Sequence, residues 1–237
     1  MEDIAGRVVL RTDAGQVQEK WGIERGGRGD PYERAYRGLR RDVVTGAVLP
    51  GDQIVVIEAA KRLGISPTPV REALAHLAGE RLIEDRRRHG YFVPLPSWFD
   101  LVELYDLCEL HLVAALREAG RSGASAPVGA TEVEATSVQM DPLGEKFVAV
   151  MCLSRNTRLV LAGCSFIDCL AAARRFQVGI YGEDEGLATL SALLSAEDWR
   201  QAVAVLCRIL RRCRGHAEPV ARAMAAAHRA RNRADIV

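Results

Sequence analysis

The most constraining feature of the chain is a link of only three residues, Gly64-Ile65-Ser66, between two segments with the apolar spacing of helices. The first segment covers residues 56–63, and glycine is the residue that most often ends a helix in the left-handed conformation. The second begins at Ser66, which can cap a helix, and prolines in its first turn cost little because first-turn N–H groups have no helical partner. Two helices joined so tightly pack at a steep angle, which predicts a helix-turn-helix.

The surrounding residues complete a recognisable unit. Helical spacing also covers residues 32–45, and after the turn residues 82–85 and 91–94 are predicted to form two short strands separated by RRRHG. Three helices followed by a two-stranded wing predict a winged helix-turn-helix over residues 31–95. The polar, glycine-rich residues 1–30 are expected to be a tail with little fixed structure.

The remainder of the chain, residues 96–237, is predicted to be entirely helical, which makes the fold class mainly α. The PLP sequence at residues 94–96 is a stiff boundary, and Ser97 can cap the first helix after it. Residues 119–140 contain GRSGASAPVGAT and are expected to form a flexible connection. Helices are predicted to resume near Asp141, Asn156, Glu183 and Ser195.

Composition places the chain among globular proteins. It has 237 residues, of which 49% are apolar and 27% charged, and its formal net charge is +1. No apolar run approaches the ~20 residues that span a bilayer, and the acidic Glu2 and Asp3 argue against a secretory signal. We therefore expect a cytoplasmic protein with no membrane partner. All six cysteines lie after residue 100 and are expected to be reduced, buried thiols.

Basic residues are concentrated where a winged helix-turn-helix would touch nucleic acid. Residues 31–95 contain eleven Lys and Arg against eight Asp and Glu, and Arg71 lies on the outward face of the third helix. The candidate contacts in the wing are Arg86, Arg87, Arg88 and His89. A major groove admits an α-helix, and basic groups on phosphates supply affinity. Although RRRH alone also fits a solvated turn and this fold also serves protein interaction, the combination predicts double-stranded DNA as the partner.

Several short segments within residues 32–93 resemble the DNA-binding domain of the GntR family of regulators. The most specific are TGAVLPGDQ, the GIS turn, PVREAL with the following LAGERLIE, and the glycine-containing wing. The resemblance implies that Ser66, Thr68 and Arg71 face DNA on the recognition helix. It also implies that His89 and Gly90 lie at the wing tip, where the glycine allows a tight turn.

Two positions depart from the family pattern. Pro67 stands where the family usually has an arginine after the serine of the turn, and Ile57 stands where members often have an arginine on the second helix. Each departure removes a charged contact. The chain is therefore expected either to bind DNA more weakly than its relatives or to prefer different bases.

The helical region is similar to the FCD-type effector domain of the FadR-like branch, on the segments DLVELYDLCEL, FVAVMCLSRNTRLV and LSAEDWRQAVAVLCRIL. Many such domains bind a divalent metal through one Asp and three His. The positions that align with these ligands hold Gly144, Val148, Leu187 and Ile209. None of the four can ligate a metal, so neither a metal nor another cofactor is expected. The alternative to buried thiols is a zinc site from Cys164, Cys169, Cys207, Cys213 and His216.

An effector pocket remains an option inside the predicted helical domain. Apolar residues at the former ligand positions favour either a bulkier apolar ligand or simple filling of the interior. Arg174 and Arg175 follow three alanines on a predicted helix and are candidates for holding an acidic ligand. The alternative for both arginines is a solvated helix face.

The sequence as a whole predicts a DNA-binding transcription regulator, a homodimer and a repressor, that reads a palindromic operator and takes a small metabolite as an optional effector. The alternative keeps DNA binding but gives the helical domain only dimerisation or contact with another protein. G-x-S-x-G, P-loop, G-x-G-x-x-G and H-E-x-x-H motifs are all absent from the sequence, so an enzyme is not expected.

Overall fold

The structure is a computed structural model that describes residues 30–122 and 141–234. The predicted tail lies outside the described residues except for Asp30, and so do residues 123–140 of the predicted connection. Within the described ranges the fold is mainly helical, as the sequence predicts, with three short strands in the N-terminal part.

Three helices build the N-terminal unit: α1 (Pro31–Thr45), α2 (Val56–Leu63) and α3 (Pro67–Gly79). The carboxylate of Asp30 caps α1 by accepting a hydrogen bond of 2.9 Å from the N–H of Tyr32. Gly64 ends α2 with a φ of 64°. The next N–H, that of Ile65, reaches back to the carbonyl of Ala60 at 3.1 Å, which is the bond that closes a Schellman motif. All three predicted helices are confirmed.

The strands differ from the prediction. A three-stranded antiparallel sheet has the order β1-β3-β2, with β1 (Gln53–Ile54), β2 (Glu84–Arg86) and β3 (Gly90–Phe92). β2 and β3 confirm the predicted two-stranded wing. The additional strand β1, which is two residues long and pairs with β3, was not predicted. The first wing strand also begins later than predicted, since Leu82 and Ile83 are buried core residues that precede it.

The core of the N-terminal unit lies between its three helices and the sheet. The predicted inward stripe of α3, which consists of Val70, Ala73, Leu74 and Leu77, is completely buried. Leu39 of α1 and Ile54 of β1 pack in the same cluster. This burial fixes the opposite face of α3 towards solvent.

Seven helices follow in the described residues: α4 (Trp98–Ser122), α5 (Pro142–Met151), α6 (Thr157–Cys169), α7 (Ala171–Tyr181), α8 (Gly186–Ser195), α9 (Trp199–Gly215) and α10 (Ala217–Ala234). The predicted start of a helix at Ser195 is wrong, because α8 ends there and Asp198 caps α9. Residues 119–122 are helical rather than part of a flexible connection. Ser97 and Asp100 cap α4 reciprocally, as predicted.

The helices α4 to α10 enclose a second apolar core. Its centre includes Tyr105, Leu112, Phe147 and Leu206, all at most 1% exposed. Cys108, Cys164 and Cys213 are buried free thiols, and Cys152, Cys169 and Cys207 are partly buried. Burial raises the pKa of Cys108 and Cys164 to about 12, so these thiols are neutral packing groups.

Polar contacts join the N-terminal unit to the helical bundle on two sides. On one side Arg40 of α1 donates to Asp168 of α6 at 2.7 Å, and Arg175 of α7 donates to the carbonyl of Val44. On the other side Arg231 of α10 donates to Asp52 at 2.9 Å. The two units therefore hold each other in a defined orientation.

Glycines occur where the bundle comes nearest to the N-terminal unit. A Cβ at Gly46 would lie 2.7 Å from the guanidinium of Arg175, and a Cβ at Gly51 would lie 2.5 Å from the imidazole of His228. Both glycines also have a positive φ. Within residues 30–122 and 141–234, none of the helices is both long and apolar enough to cross a membrane.

Candidate DNA-binding surface

The outward face of α3 is the centre of the candidate surface. Its exposed side chains include Ser66 at the N-cap position, Thr68 and Arg71. Ser66 occupies the cap position, but its hydroxyl makes no cap hydrogen bond to the helix. The predicted role of this side chain as a cap is therefore wrong. The hydroxyl remains available to a partner outside the chain.

Arg71 is the one arginine of α3. It is exposed, and among the described residues it has neither an ion pair nor a hydrogen bond. An arginine guanidinium offers five donors in a fixed planar fork that suits phosphate oxygens or the edge of a guanine. The structure thus presents an unengaged donor group on the helix face that points away from the core.

The wing is a hairpin whose tip carries the remaining predicted residues. Arg86 pairs with Gly90 across the two strands, and Arg87, Arg88 and His89 form the exposed turn between them. Arg88 has a φ of 65° and Gly90 one of 94°. The turn therefore needs the left-handed conformation at two positions, of which only one is glycine.

Gln53 orders the wing tip, although its local sequence does not mark it as a functional residue. The amide of Gln53 on β1 donates a hydrogen bond of 2.8 Å to the carbonyl of His89. This hydrogen bond holds the wing tip against β1. The only sequence signal for this contact was the TGAVLPGDQ segment, which ends on Gln53.

Arg86 differs from the other basic residues of the wing. Its guanidinium forms an ion pair of 2.8 Å with Glu84, and it lies 4.4 Å from the centre of the Phe92 ring. Both contacts stay within the sheet. Arg86 therefore stays a predicted phosphate contact whose charge is engaged within the sheet. Arg87 and Arg88 have no ion pair among the described residues.

The second helix carries less free charge than its sequence suggests. Arg62 forms an ion pair with the buried Asp42 of α1, and so supports the packing of α2 on α1. Ile57, at the position where related sequences often have an arginine, is 60% exposed. An apolar side chain on this surface makes no charge-assisted contact.

The two arginines proposed for an effector are both engaged within the protein. Arg174 is 1% exposed and forms an ion pair of 2.9 Å with Asp141, and it also donates to the carbonyl of Ile167 at 2.7 Å. Arg175 contacts Val44 of the N-terminal unit. The alternative of a solvated helix face is therefore wrong for Arg174, and neither guanidinium is freely available to a ligand.

The positions aligned with the metal ligands of related domains lie in the apolar core. Ile209 is buried there, and Val148 and Leu187 pack against the same cluster. Side chains able to form a metal cluster are not grouped anywhere in residues 30–122 and 141–234. The cysteines and His216 named for the alternative zinc site are likewise not grouped within these ranges.

Comparison with known proteins agrees with the motif. Residues 31–93 match the family described as "Bacterial regulatory proteins, gntR family". An HTH-type transcriptional regulator from the TAR-I ttuE-ttuC' intergenic region of Agrobacterium vitis is 36% identical over 73 residues, which are 31% of this chain and 43% of that protein. The transcriptional repressor RspR of Escherichia coli K12 is 39% identical over 61 residues, which are 26% of this chain and 27% of the repressor.

The fold over most of the chain is similar to that of a solved protein. A crystal structure of a GntR transcriptional regulator from Rhodococcus sp. RHA1 superposes with a TM-score of 0.59 and 21% identity, and covers 78% of this chain and 96% of that one. The alignments to the curated relatives span less than half of the length of those proteins.

The three helices and the hairpin of the N-terminal unit therefore define a winged helix-turn-helix. Within this class, residues 31–93 are similar to the DNA-binding domain of the gntR family of bacterial regulatory proteins.

Proposed function

We propose that this chain is a sequence-specific DNA-binding regulator that inserts α3 into the major groove and lays its wing on the adjacent backbone. The observation that carries the proposal is the two-sided character of α3. One face is completely buried, and the other presents Arg71 without a partner among the described residues. Ser66 and Thr68 add exposed hydroxyls at the end of the helix that enters the groove.

The proposed contacts divide into two kinds. Arg71 and Thr68 would touch base edges, since they project from the recognition helix. Arg87, Arg88 and His89 would touch phosphates, since they lie at the tip of a hairpin beside that helix. Gly90 would allow close approach of the wing to the backbone. Arg86 would hold the shape of the wing through its contacts with Glu84 and Phe92.

We further propose the domain organisation that the sequence predicts. Residues 31–95 would bind DNA, and residues 96–237 would form an FCD-type domain of the FadR-like branch. This domain would make the homodimer. Large apolar side chains remain exposed on the neighbouring helices α4 and α6, where Leu110 is 66% and Leu161 53% exposed. Covering such side chains with a second copy would stabilise a dimer, and two recognition helices would then read a palindrome.

The regulator is proposed to act as a repressor in the cytoplasm. A small molecule is proposed as its effector. The centre of the helical bundle does not favour the metal-linked effector site of related domains. Its aligned positions hold apolar side chains, and the charge of Arg174 is matched by Asp141. A bundle that only dimerises, the alternative drawn from sequence, gains support from these contacts.

Selection of random duplexes by the purified full-length chain tests the proposal. Three or more rounds should enrich a palindrome, and sedimentation of the complex should give two chains for each duplex. Failure to enrich any sequence above a pool carried through without protein would overturn the proposed specificity. Enrichment by a single chain on a non-palindromic site would overturn the dimer and leave DNA binding intact.

A further inference from the structure

A cavity of about 690 Å³ lies between the N-terminal unit and the helical bundle. Its walls come from the segment between α3 and the wing, from the start of α4, and from α6 and α7. Ligand sites usually have volumes of about 300–1,000 Å³ and often lie at domain interfaces. This cavity therefore has the size and the position of a site for a small organic molecule.

The interior of the cavity is apolar. Leu104 of α4, Phe166 of α6 and Met224 of α10 contribute side chains to it, as do Val93 and Ala172. A ligand that enters would bury a hydrocarbon or aromatic body against these groups, which is favourable at about 25 cal/mol for each Å² removed from water.

The polar part of the lining is strongly acidic. Six carboxylates contribute to the walls, and Arg81 is the one basic residue in the lining. Asp168 and Glu84 are already paired with arginines. Asp85 of the wing and Glu103 of α4 are exposed and have no ion pair among the described residues. Each of the two structural units thus supplies one unengaged carboxylate.

We propose that this cavity binds a small amphipathic cation, with an apolar body against the inner wall and an ammonium or guanidinium group at the carboxylates. An anionic ligand of the same shape would meet a surplus of negative charge and is excluded. The site is separate from the core of the bundle, where Arg174 and Asp141 neutralise each other.

Binding of a ligand in the cavity would affect the DNA-binding surface through residues that belong to both. Residues 80–85 of its wall connect the end of α3 directly to the first wing strand. Asp168 in the opposite wall also forms the ion pair with Arg40 that joins α1 to the bundle. A ligand that binds one orientation of the two units better than another shifts the population towards that orientation. This regulatory step rests on the proposed DNA binding, whereas the binding site itself does not.

Calorimetric titration of the full-length chain without DNA tests the site. The probes are 2-phenylethylamine and n-octylamine, with 2-phenylethanol and phenylacetate as neutral and anionic counterparts. Both amines should bind. 2-Phenylethylamine should bind at least about tenfold more tightly than the alcohol, which is about 1.4 kcal/mol, because only the amine makes a charge-assisted contact. Phenylacetate should not bind.

Two variants locate the binding. The double variant Asp85→Asn with Glu103→Gln should weaken amine binding about tenfold, and Ala172→Trp, which fills the cavity, should abolish it. Glu183→Gln, at an exposed carboxylate on another part of the surface, is the matched control and should change nothing.

Equal affinity for the amine and the alcohol, binding of neither amine, or amine binding unaffected by both variants would each overturn the proposal. A separate measurement, DNA affinity with and without 2-phenylethylamine, tests the coupling. If the chain bound the amine but did not bind DNA, the proposed function would be refuted and the proposed ligand site would be retained.

Discussion

Replacing Arg71 by alanine separates DNA recognition from folding. The side chain is exposed and has no ion pair or hydrogen bond with the described residues, so its removal breaks no contact within the chain. Alanine is also at least as good a helix former as arginine. The free energy of unfolding is therefore expected to change by less than about 0.5 kcal/mol.

The effect on DNA binding is expected to be much larger. A bidentate contact between arginine and a base is worth about 1–3 kcal/mol of discrimination. The proposed dimer holds two copies, so the loss is about 2–6 kcal/mol, and the lower limit alone is a decrease in affinity of about 30-fold. The loss should be smaller on a random duplex, because most non-specific affinity comes from other basic residues on phosphates.

Fluorescence anisotropy with the selected duplex and with a random duplex measures both effects, and thermal unfolding checks the fold. Arg208→Ala is the control, since Arg208 is an exposed arginine on α9, far along the chain from the wing. Unchanged affinity of Arg71→Ala for the selected duplex at moderate salt would refute the docking of α3. An equal loss on both duplexes would assign Arg71 to phosphate instead of to bases.

Four further perturbations test other parts of the structure. Arg87→Gln should weaken binding to all duplexes alike and lower the salt slope by about one for each protomer; a changed base preference at an unchanged slope would contradict this. Arg81→Gly should raise the free energy of unfolding by about 1 kcal/mol, because Arg81, two residues after the end of α3, has a φ of 61° that glycine adopts without strain. Chemical denaturation measures this change. Asp141 caps α5 by accepting a hydrogen bond from the N–H of Gly144, and asparagine can still do so. Asp141→Asn leaves the charge of Arg174 buried and unpaired, however, so it should lower the free energy of unfolding by about 3–5 kcal/mol. The exposed control Asp106→Asn should lower it little. Untagged protein should contain no stoichiometric metal and keep its melting temperature in chelator; about one zinc, nickel or manganese for each chain in elemental analysis would overturn this.

Local patterns in the sequence were sufficient to predict the helix-turn-helix. The apolar stripe of α3 and the glycine after α2 act within a few residues of one another, so their structural meaning does not depend on the rest of the chain. The mainly helical fold followed in the same way. The start of α9 was missed because Ser195 and Asp198 are both capping residues, and only the end of α8 decides between them.

Contacts between segments that are distant along the chain could not be predicted from local sequence patterns. Strand β1 depends on pairing between Gln53 and Phe92. The burial of Arg174 depends on Asp141, a residue 33 positions earlier, without which an arginine on a helix would face solvent. The engagement of Arg86 by Phe92 requires the hairpin to have formed. The interdomain cavity left no trace in the sequence, because its walls come from segments with ordinary local patterns.

The glycines at positions 46 and 51, with Arg175 and His228 set against them, have a consequence for the spacing of DNA half-sites. A winged helix-turn-helix on a loose tether could follow its half-site when the spacer between half-sites grows or shrinks. Here the helical bundle contacts the N-terminal unit on two sides and holds it in place. One extra base pair displaces a half-site by about 3.4 Å and turns it by about 35° around the duplex axis. In the proposed dimer the recognition helices cannot follow that turn, so the operator should tolerate changed bases in its spacer far better than a changed spacer length.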